Sequence, residues 1–201
     1  MRANGTPVAR GRPKRTTPAE VSRAALELFA ANGFVETTVD DIASALGVGR
    51  RTLFRYFSSK NDTVWGDFDW VLDRLRGELA KSSPDEPLMG ALGRAIVASN
   101  SYPSEELPQL RLRMTLITAV PALQAHSMLR YQAWREVVAE YAAQRLGLTP
   151  EHHVPQTIAH TAFGTSMAAF VTWVGDPDAD LEASLREGYR LLATGFDVTG
   201  S

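Results

Sequence analysis

The chain of 201 residues contains no cysteine. Disulfides, thiolate metal sites and cysteine nucleophiles are therefore excluded. Histidine is scarce, with four copies. Two of these, His152 and His153, are adjacent and point to different faces of any helix, while His153 and His160 alone are too sparse for a metal site. No run of alternating apolar and polar residues reads as a strand, and no internal repeat or low-complexity tract is present. The N-terminus lacks the apolar core of a secretory signal, so the expected location is the cytoplasm. Val154 to Gly175 lacks Asp, Glu, Lys and Arg and is long enough to span a bilayer. It nevertheless carries Gln156, Thr157, His160, Thr161, Thr165 and Ser166, which a lone lipid-facing helix tolerates poorly, so a buried or interface helix without membrane contact is expected.

Positive charge is lacking overall but not locally. The formal net charge is -2. Residues 1–60 nevertheless hold ten basic side chains against five acidic ones, whereas residues 61–201 hold eleven against eighteen. Such a split points to two parts with different partners, the first of them polyanionic. The basic leader, "ARGRPKRTTPAEV" from Ala9 to Val21, is broken by glycine and proline, and no packed structure is expected before Thr17.

From Thr17 onward the pattern is helical throughout, which predicts an all-α fold. Thr17-Pro18-Ala19-Glu20 combines a capping hydroxyl, a proline in the first turn and a glutamate three residues after the cap. The first helix is expected over Pro18–Asn32, with Gly33 as its stop. Thr38 and Asp41 open a second, ending at Leu46, and only Val48 and Gly49 separate it from a third at Arg50–Tyr56. A fourth is expected over Lys60–Lys81. Further helices are expected near Pro87–Ser99, Glu105–Thr118, Pro121–Leu146, Pro150–Val174 and Asp180–Phe196, about nine in all. The implied organisation is a basic arm (1–16), a three-helix head (17–60) and a larger acidic helical bundle (61–201).

Two short helices joined by a glycine turn inside a three-helix head make a helix-turn-helix, whose second helix can enter a DNA major groove. That helix begins "GVGRRTLFRYF". Leu53 and Phe57, four residues apart, face inward, leaving Arg50, Arg51, Thr52 and Arg55 for double-stranded DNA. Arginine can bond guanine O6 and N7 bidentately and threonine can meet a thymine methyl. The bland alternative is a solvated amphipathic helix.

The stretch "GFVETTVDDIASALGVGRRTLFRYFSSKNDTV", Gly33 to Val64, resembles the signature of TetR-type transcriptional regulators, and the leader and later segments are similar to the regulators attached to mycofactocin biosynthesis clusters. The resemblance implies that Thr37 and Thr38 cap the second helix and touch the phosphate backbone, that Arg50, Arg51 and Thr52 reach base edges, and that Tyr56 and Lys60 meet phosphates. Two positions depart from the usual pattern. Gly49 replaces a capping serine, which glycine does at small cost. Phe54 replaces a tyrosine, which removes a phosphate contact and leaves packing or DNA contact open for its ring. Arg10-Gly11-Arg12-Pro13 resembles the core of AT-hooks, which lay arginines in a narrow minor groove. Arg10, Arg12 and Arg15 are thus candidate DNA contacts, with a nonspecific basic tail as the alternative.

The acidic bundle repels DNA and requires another role. In the Pro150–Val174 helix Phe163, Met167, Phe170 and Val174 line one face, while Gly164, Ala168 and Val171 form a small-residue face that permits close helix approach. With Leu185, Tyr189 and Leu192 of the last helix these residues are the candidate homodimer interface, a four-helix arrangement of the kind through which TetR-type regulators dimerise. Leu110, Met114, Ile117, Met128, Tyr131, Trp134, Phe163 and Met167 are bulky or flexible apolar residues that either form plain core or line a cavity for a hydrophobic effector. Arg111, Arg113 and Arg130 are candidates for an anionic head group. The mycofactocin resemblance suggests a fatty-acyl thioester as effector; an amphipathic drug or lipid fits the same residues. An enzyme finds little support. Gly164-Thr165-Ser166-Met167-Ala168 misses the G-x-S-x-G elbow at its last position and lacks a preceding strand, and neither a cofactor motif nor a metal site is legible. The expectation is a ligand-responsive DNA-binding repressor.

Overall fold

The computed structural model describes residues 16–195, and among these residues the regular structure is entirely helical. Ten helices follow in order: α1 (Pro18–Asn32), α2 (Val39–Ala45), α3 (Arg50–Phe54), α4 (Lys60–Trp65), α5 (Phe68–Leu79), α6 (Leu88–Ser99), α7 (Leu107–Ala119), α8 (Pro121–Leu146), α9 (His153–Gly175) and α10 (Leu181–Ala193). The candidate residues Arg10, Arg12 and Arg15 lie outside the described residues, as does Phe196.

Local chemistry explains why the head forms where it does. Thr17 and Glu20 complete a reciprocal capping box at α1, and Thr38 and Asp41 complete another at α2. Each box satisfies two backbone N–H groups that the first turn would otherwise leave orphaned. Gly33 ends α1 at φ 91°, a left-handed conformation that any other residue adopts at a cost. Val21, Ala25, Leu26 and Phe29 from α1 meet Ile42 from α2 and Leu53 and Phe57 from the α3 segment in a shared core. Leu53 is completely buried and Phe57 nearly so, which leaves the basic side of α3 facing out.

The sequence pattern suggested one connecting helix over Lys60–Lys81. The chain instead breaks it at Gly66, which takes φ 64° between α4 and α5. Asp67 then restarts the helix by accepting a hydrogen bond from the Trp70 amide. Apolar periodicity continues through the break, from Val64 and Trp65 to Phe68, Leu72 and Leu75, all buried. That continuity hid the glycine hinge and gave nine expected helices rather than ten.

In the bundle, α8 packs along α9, and α10 packs across α9 and α6. The α6–α10 crossing is close: a Cβ on Gly93 would stand 2.9 Å from the Tyr189 side chain. Head and bundle share one continuous hydrophobic core, with α1 and α4 resting on α7 and α4 also touching α8.

Candidate nucleic-acid interface and effector cavity

α3 begins at Gly49, which supplies no side-chain cap. Arg51 and Arg55 are exposed and Thr52 is half-buried. Arg50, its side chain 59% exposed, pairs with Asp40 at 3.2 Å and lies over the Phe54 ring at 5.4 Å. Phe54 is itself exposed, so its ring belongs to the outward face. An exposed ion pair of this kind is worth little, and exchanging Asp40 for a phosphate is inexpensive. Arg55 stacks on Tyr56 and donates to its hydroxyl. Tyr56 in turn donates to the Thr16 carbonyl at 2.6 Å, which joins the chain entering α1 to the end of α3.

Two further candidate phosphate contacts are, like the Tyr56 hydroxyl, occupied within the fold. Thr37 is 1% exposed, and its hydroxyl donates to the carbonyls of Gly33 and Leu28. It locks the α1–α2 turn and does not present itself outward. The Lys60 amine donates to the carbonyls of Phe34 at 2.7 Å and Thr37 at 2.9 Å and stands 4.3 Å from the centre of the Phe34 ring. Burial lowers its pKa from the ordinary lysine value. Lys60 thus braces the turn against α4, and reaching a phosphate would cost both bonds. Thr38 caps α2 from an exposed position. Its hydroxyl and backbone N–H donate to Asp41, which holds that carboxyl below its ordinary value.

The bundle holds a partly open cavity of about 100 Å³. Leu110, Met114, Tyr131, Trp134, Phe163 and Met167 line it. Two further candidates do not. Ile117 is 1% exposed and belongs to the sealed core, whereas Met128 is 59% exposed on the outer side of α8. The wall also contains residues that the pattern did not single out, among them Trp65 and Phe68 beside the Gly66 break, and the polar Asn100, Tyr102 and Ser166. The aromatic pair three residues apart was the available signal for the first two; the polar three carry none in sequence.

The three candidate arginines part company. Arg111 lies over the Trp173 ring at 4.3 Å and donates to the carbonyls of Trp173, Asp176 and Pro177, capping the end of α9. Arg130 pairs with Asp62 at 3.0 Å. Arg113 alone lines the cavity, and donates to the Val64 carbonyl at 2.7 Å.

Asp62, on α4, is the charged joint between head and bundle. It is 8% exposed and accepts from Ser58 and Ser59 on its own segment and from His126 (2.8 Å) and Arg130 on α8. Burial pushes its pKa up, but the hydrogen bonds from Ser58, Ser59, His126 and Arg130 outweigh burial and hold it at about 2.

The candidate dimer residues also divide. Gly164, Ala168 and Val171 lie on the exposed side of α9, and a Cβ on Gly164 would meet nothing within 4 Å. Leu185 and Tyr189 are instead interior: both are buried, and the Tyr189 hydroxyl bonds the Ala162 carbonyl and Ser166, each at 2.8 Å. Their face of α10 turns toward α6 and α9 of the same chain, because Gly93 and Gly188 admit close approach there. Leu192 is half-buried. The Gly164–Ala168 segment lies mid-helix in α9, not on the strand-to-helix turn that a hydrolase nucleophile requires. Among the described residues, no helix is long and apolar enough to cross a membrane.

Residues 22–63 match the family described as "Bacterial regulatory proteins, tetR family", and residues 86–197 match the "MftR C-terminal domain". The chain is 42% identical over 187 residues to the protein named "Putative mycofactocin biosynthesis transcriptional regulator MftR" of Mycobacterium tuberculosis (strain ATCC 25618 / H37Rv), covering 93% of this chain and 94% of that one. It is 30% identical over 186 residues to the HTH-type transcriptional regulator TcmR of Streptomyces glaucescens, covering 88% and 81%. Its fold is similar to that of Thermus thermophilus FadR, a TetR-family repressor solved with lauroyl-CoA, at a TM-score of 0.58 and 24% identity, with 92% and 97% of the two chains covered. SmeT, the repressor of a Stenotrophomonas maltophilia multidrug efflux pump, gives 0.59 at 20% identity, with 92% and 95% covered. With a matching head, a matching bundle and a relative aligned over nearly its whole length, this chain belongs to the TetR family of bacterial transcriptional regulators and carries an MftR-type C-terminal domain.

Proposed function

We propose that the protein is a homodimeric repressor that binds operator DNA through α3 and is released by a hydrophobic small molecule held in the bundle cavity, with a long-chain fatty-acyl-CoA as the effector class and a mycofactocin-related gene cluster as the target. The observation that carries this reading is the position of the cavity. Its wall includes Trp65 and Phe68, which flank the Gly66 break between head and bundle, so a ligand there presses on the segment that carries the reading helix. The exposed Arg50, Arg51 and Arg55 and the half-buried Thr52 supply the DNA contacts, and the small, uncharged face at Gly164, Ala168 and Val171 supplies the contact with a second copy.

Cavity size gives the mechanism its energetics. A space of about 100 Å³ is smaller than the roughly 150 Å³ that accommodates benzene, so an acyl chain enters only if the helices around it separate. The ligand therefore favours an opened bundle, and this differential affinity moves the two heads of a dimer off the ~34–36 Å spacing of successive major grooves. The decisive experiment is fluorescence anisotropy of the purified protein on DNA from the promoter of its own gene, titrated with lauroyl-CoA. Release at micromolar ligand supports the reading. Tight operator binding unaffected by any acyl-CoA refutes the effector class. The same cavity size favours a second reading, a compact amphipathic drug or lipid as inducer and efflux or lipid-metabolism genes as targets. SmeT, a structural neighbour, was solved with triclosan.

A further inference from the structure

Arg113 occupies an unusual place. It projects from α7 into the cavity wall and simultaneously holds the head, donating from Nε to the Val64 carbonyl on α4 at 2.7 Å and from its terminal nitrogen to the Ser22 hydroxyl on α1 at 3.4 Å. These contacts enclose the hinge: a Cβ on Gly66 would lie 3.3 Å from the Ser22 hydroxyl and 3.4 Å from the Arg113 guanidinium. Among the described residues no carboxylate pairs with Arg113, whereas Arg111 is held by three carbonyls and Arg130 already pairs with Asp62 through a terminal nitrogen, its own Nε being buried without a partner among the described residues. Burial disfavours its charge. A partly buried cation without a counterion carries a desolvation cost and calls for an acceptor. Two bonds leave most of its five N–H donors unspent. In the same wall a second donor, the Trp65 indole N–H, is buried with no partner among the described residues. The cavity is thus apolar in body and oversupplied with donors at its hinge side.

We infer that Arg113 is the effector-sensing residue: it binds the acyl oxygen of the ligand, carried by a free carboxylate or by a thioester carbonyl, and transmits occupancy to the head by giving up its bonds to Val64 and Ser22 at the Gly66 hinge. This rests on the cavity being the effector site and adds which end of the ligand lies at the hinge and what it exchanges with. An apolar chain alone fills the cavity without drawing the guanidinium. An acyl oxygen engages the unspent donors and draws the guanidinium toward the cavity, away from the Val64 carbonyl and the Ser22 hydroxyl, and a carboxylate, ionised like the guanidinium and able to accept bidentately, does so more strongly than a neutral carbonyl.

The test separates binding from release. Quenching of the cavity tryptophans, Trp65 and Trp134, reports binding of dodecanoate, lauroyl-CoA, dodecanol and dodecylamine to the full-length protein. Operator anisotropy reports release, each variant being compared with its own unliganded affinity. In the wild type at least one acyl ligand should bind about tenfold or more tightly than dodecanol, and dodecylamine more weakly still. In Arg113→Gln that preference should fall within about twofold, and saturating ligand should no longer weaken operator binding. Arg113→Lys, which keeps the charge and loses the fork, should retain part of the binding preference while losing release. It also serves if the glutamine variant fails to fold by circular dichroism. Comparing dodecanoate with lauroyl-CoA identifies the source of the oxygen. A wild type that does not distinguish acyl ligands from dodecanol, or a preference that survives Arg113→Gln, overturns the inference while leaving the cavity as effector site. Binding of none of the four ligands overturns both.

Discussion

Replacing Asp62 by asparagine removes the single negative charge at the joint between head and bundle while keeping the side chain's shape. The carboxyl sits at about 2 rather than 3.8. At 1.36 kcal/mol per pKa unit the folded state gains about 2 kcal/mol from this group at neutral pH. The sign follows from the direction of the shift. Because the folded pKa is depressed, the gain is complete well above pH 4 and fades as pH falls through about 2. At pH 3, between the unfolded and folded values, roughly half of it, about 1 kcal/mol, should survive. Urea unfolding of wild type and Asp62→Asn at pH 7 and pH 3 therefore measures both numbers. The variant should be less stable by about 2 kcal/mol at pH 7, a loss of ~4–8 °C in Tm for a chain of this size, and the gap should close by about half at pH 3. Equal stability at pH 7 would refute the account of Asp62 as a net favourable charge. A gap independent of pH would show that the loss comes from packing rather than from ionisation.

Three further outcomes are expected. Arg51→Ala should weaken specific operator binding by about 1–3 kcal/mol if the side chain reaches a base; gel-shift affinity unchanged at matched salt removes it from the reading face. Gly164→Leu should push apart two copies meeting at α9, at a cost of ~1–3 kcal/mol, and lower both the dimer fraction in sedimentation and operator affinity; a fully dimeric variant places the interface elsewhere. Deleting residues 1–13 should flatten the salt dependence of operator binding by roughly 0.9 in log-log slope for each phosphate the arm no longer neutralises. The drop in affinity should be greatest on A·T-flanked operators if the arm enters a narrow minor groove; equal drops on A·T and G·C flanks identify a nonspecific tail.

The head was legible because its signals are local. A capping box, an apolar stripe and a positive-φ glycine are each written within a few residues, and α1 emerged at Pro18–Asn32 as expected. α8 did so at Pro121–Leu146, between a first-turn proline and Gly147. Gly66 was not legible, since one glycine inside an unbroken apolar period reads as a tolerated helix residue until its φ is known. Thr37 and Lys60 show the same limit for function. Both sit in an exposed-looking polar sequence, yet their partners are backbone carbonyls of the α1–α2 turn, and only the fold determines where a carbonyl points. In the bundle, periodicity separates buried from exposed faces but does not assign a buried face to cavity or core, which is why Ile117 and Leu110 look alike in sequence. Nor does it say whether an apolar stripe meets its own chain or a second copy. Tyr189 was decided by Gly93, nearly a hundred residues away.

The hydrogen bond from Tyr56 to the Thr16 carbonyl sets the point from which the basic arm departs. Because that carbonyl is fastened beside the end of α3, the arm starts from the reading helix and not from the far side of the head. At no more than ~3.6 Å per residue, Arg12 can lie at most about 14 Å and Arg10 at most about 22 Å from that anchor, the lengths of roughly four and six base-pair steps. A bound subunit should accordingly protect a short, continuous footprint in which any arm contact lies immediately next to the helix contact, and bases farther than the longer of these lengths from the α3 half-site should be open to cleavage.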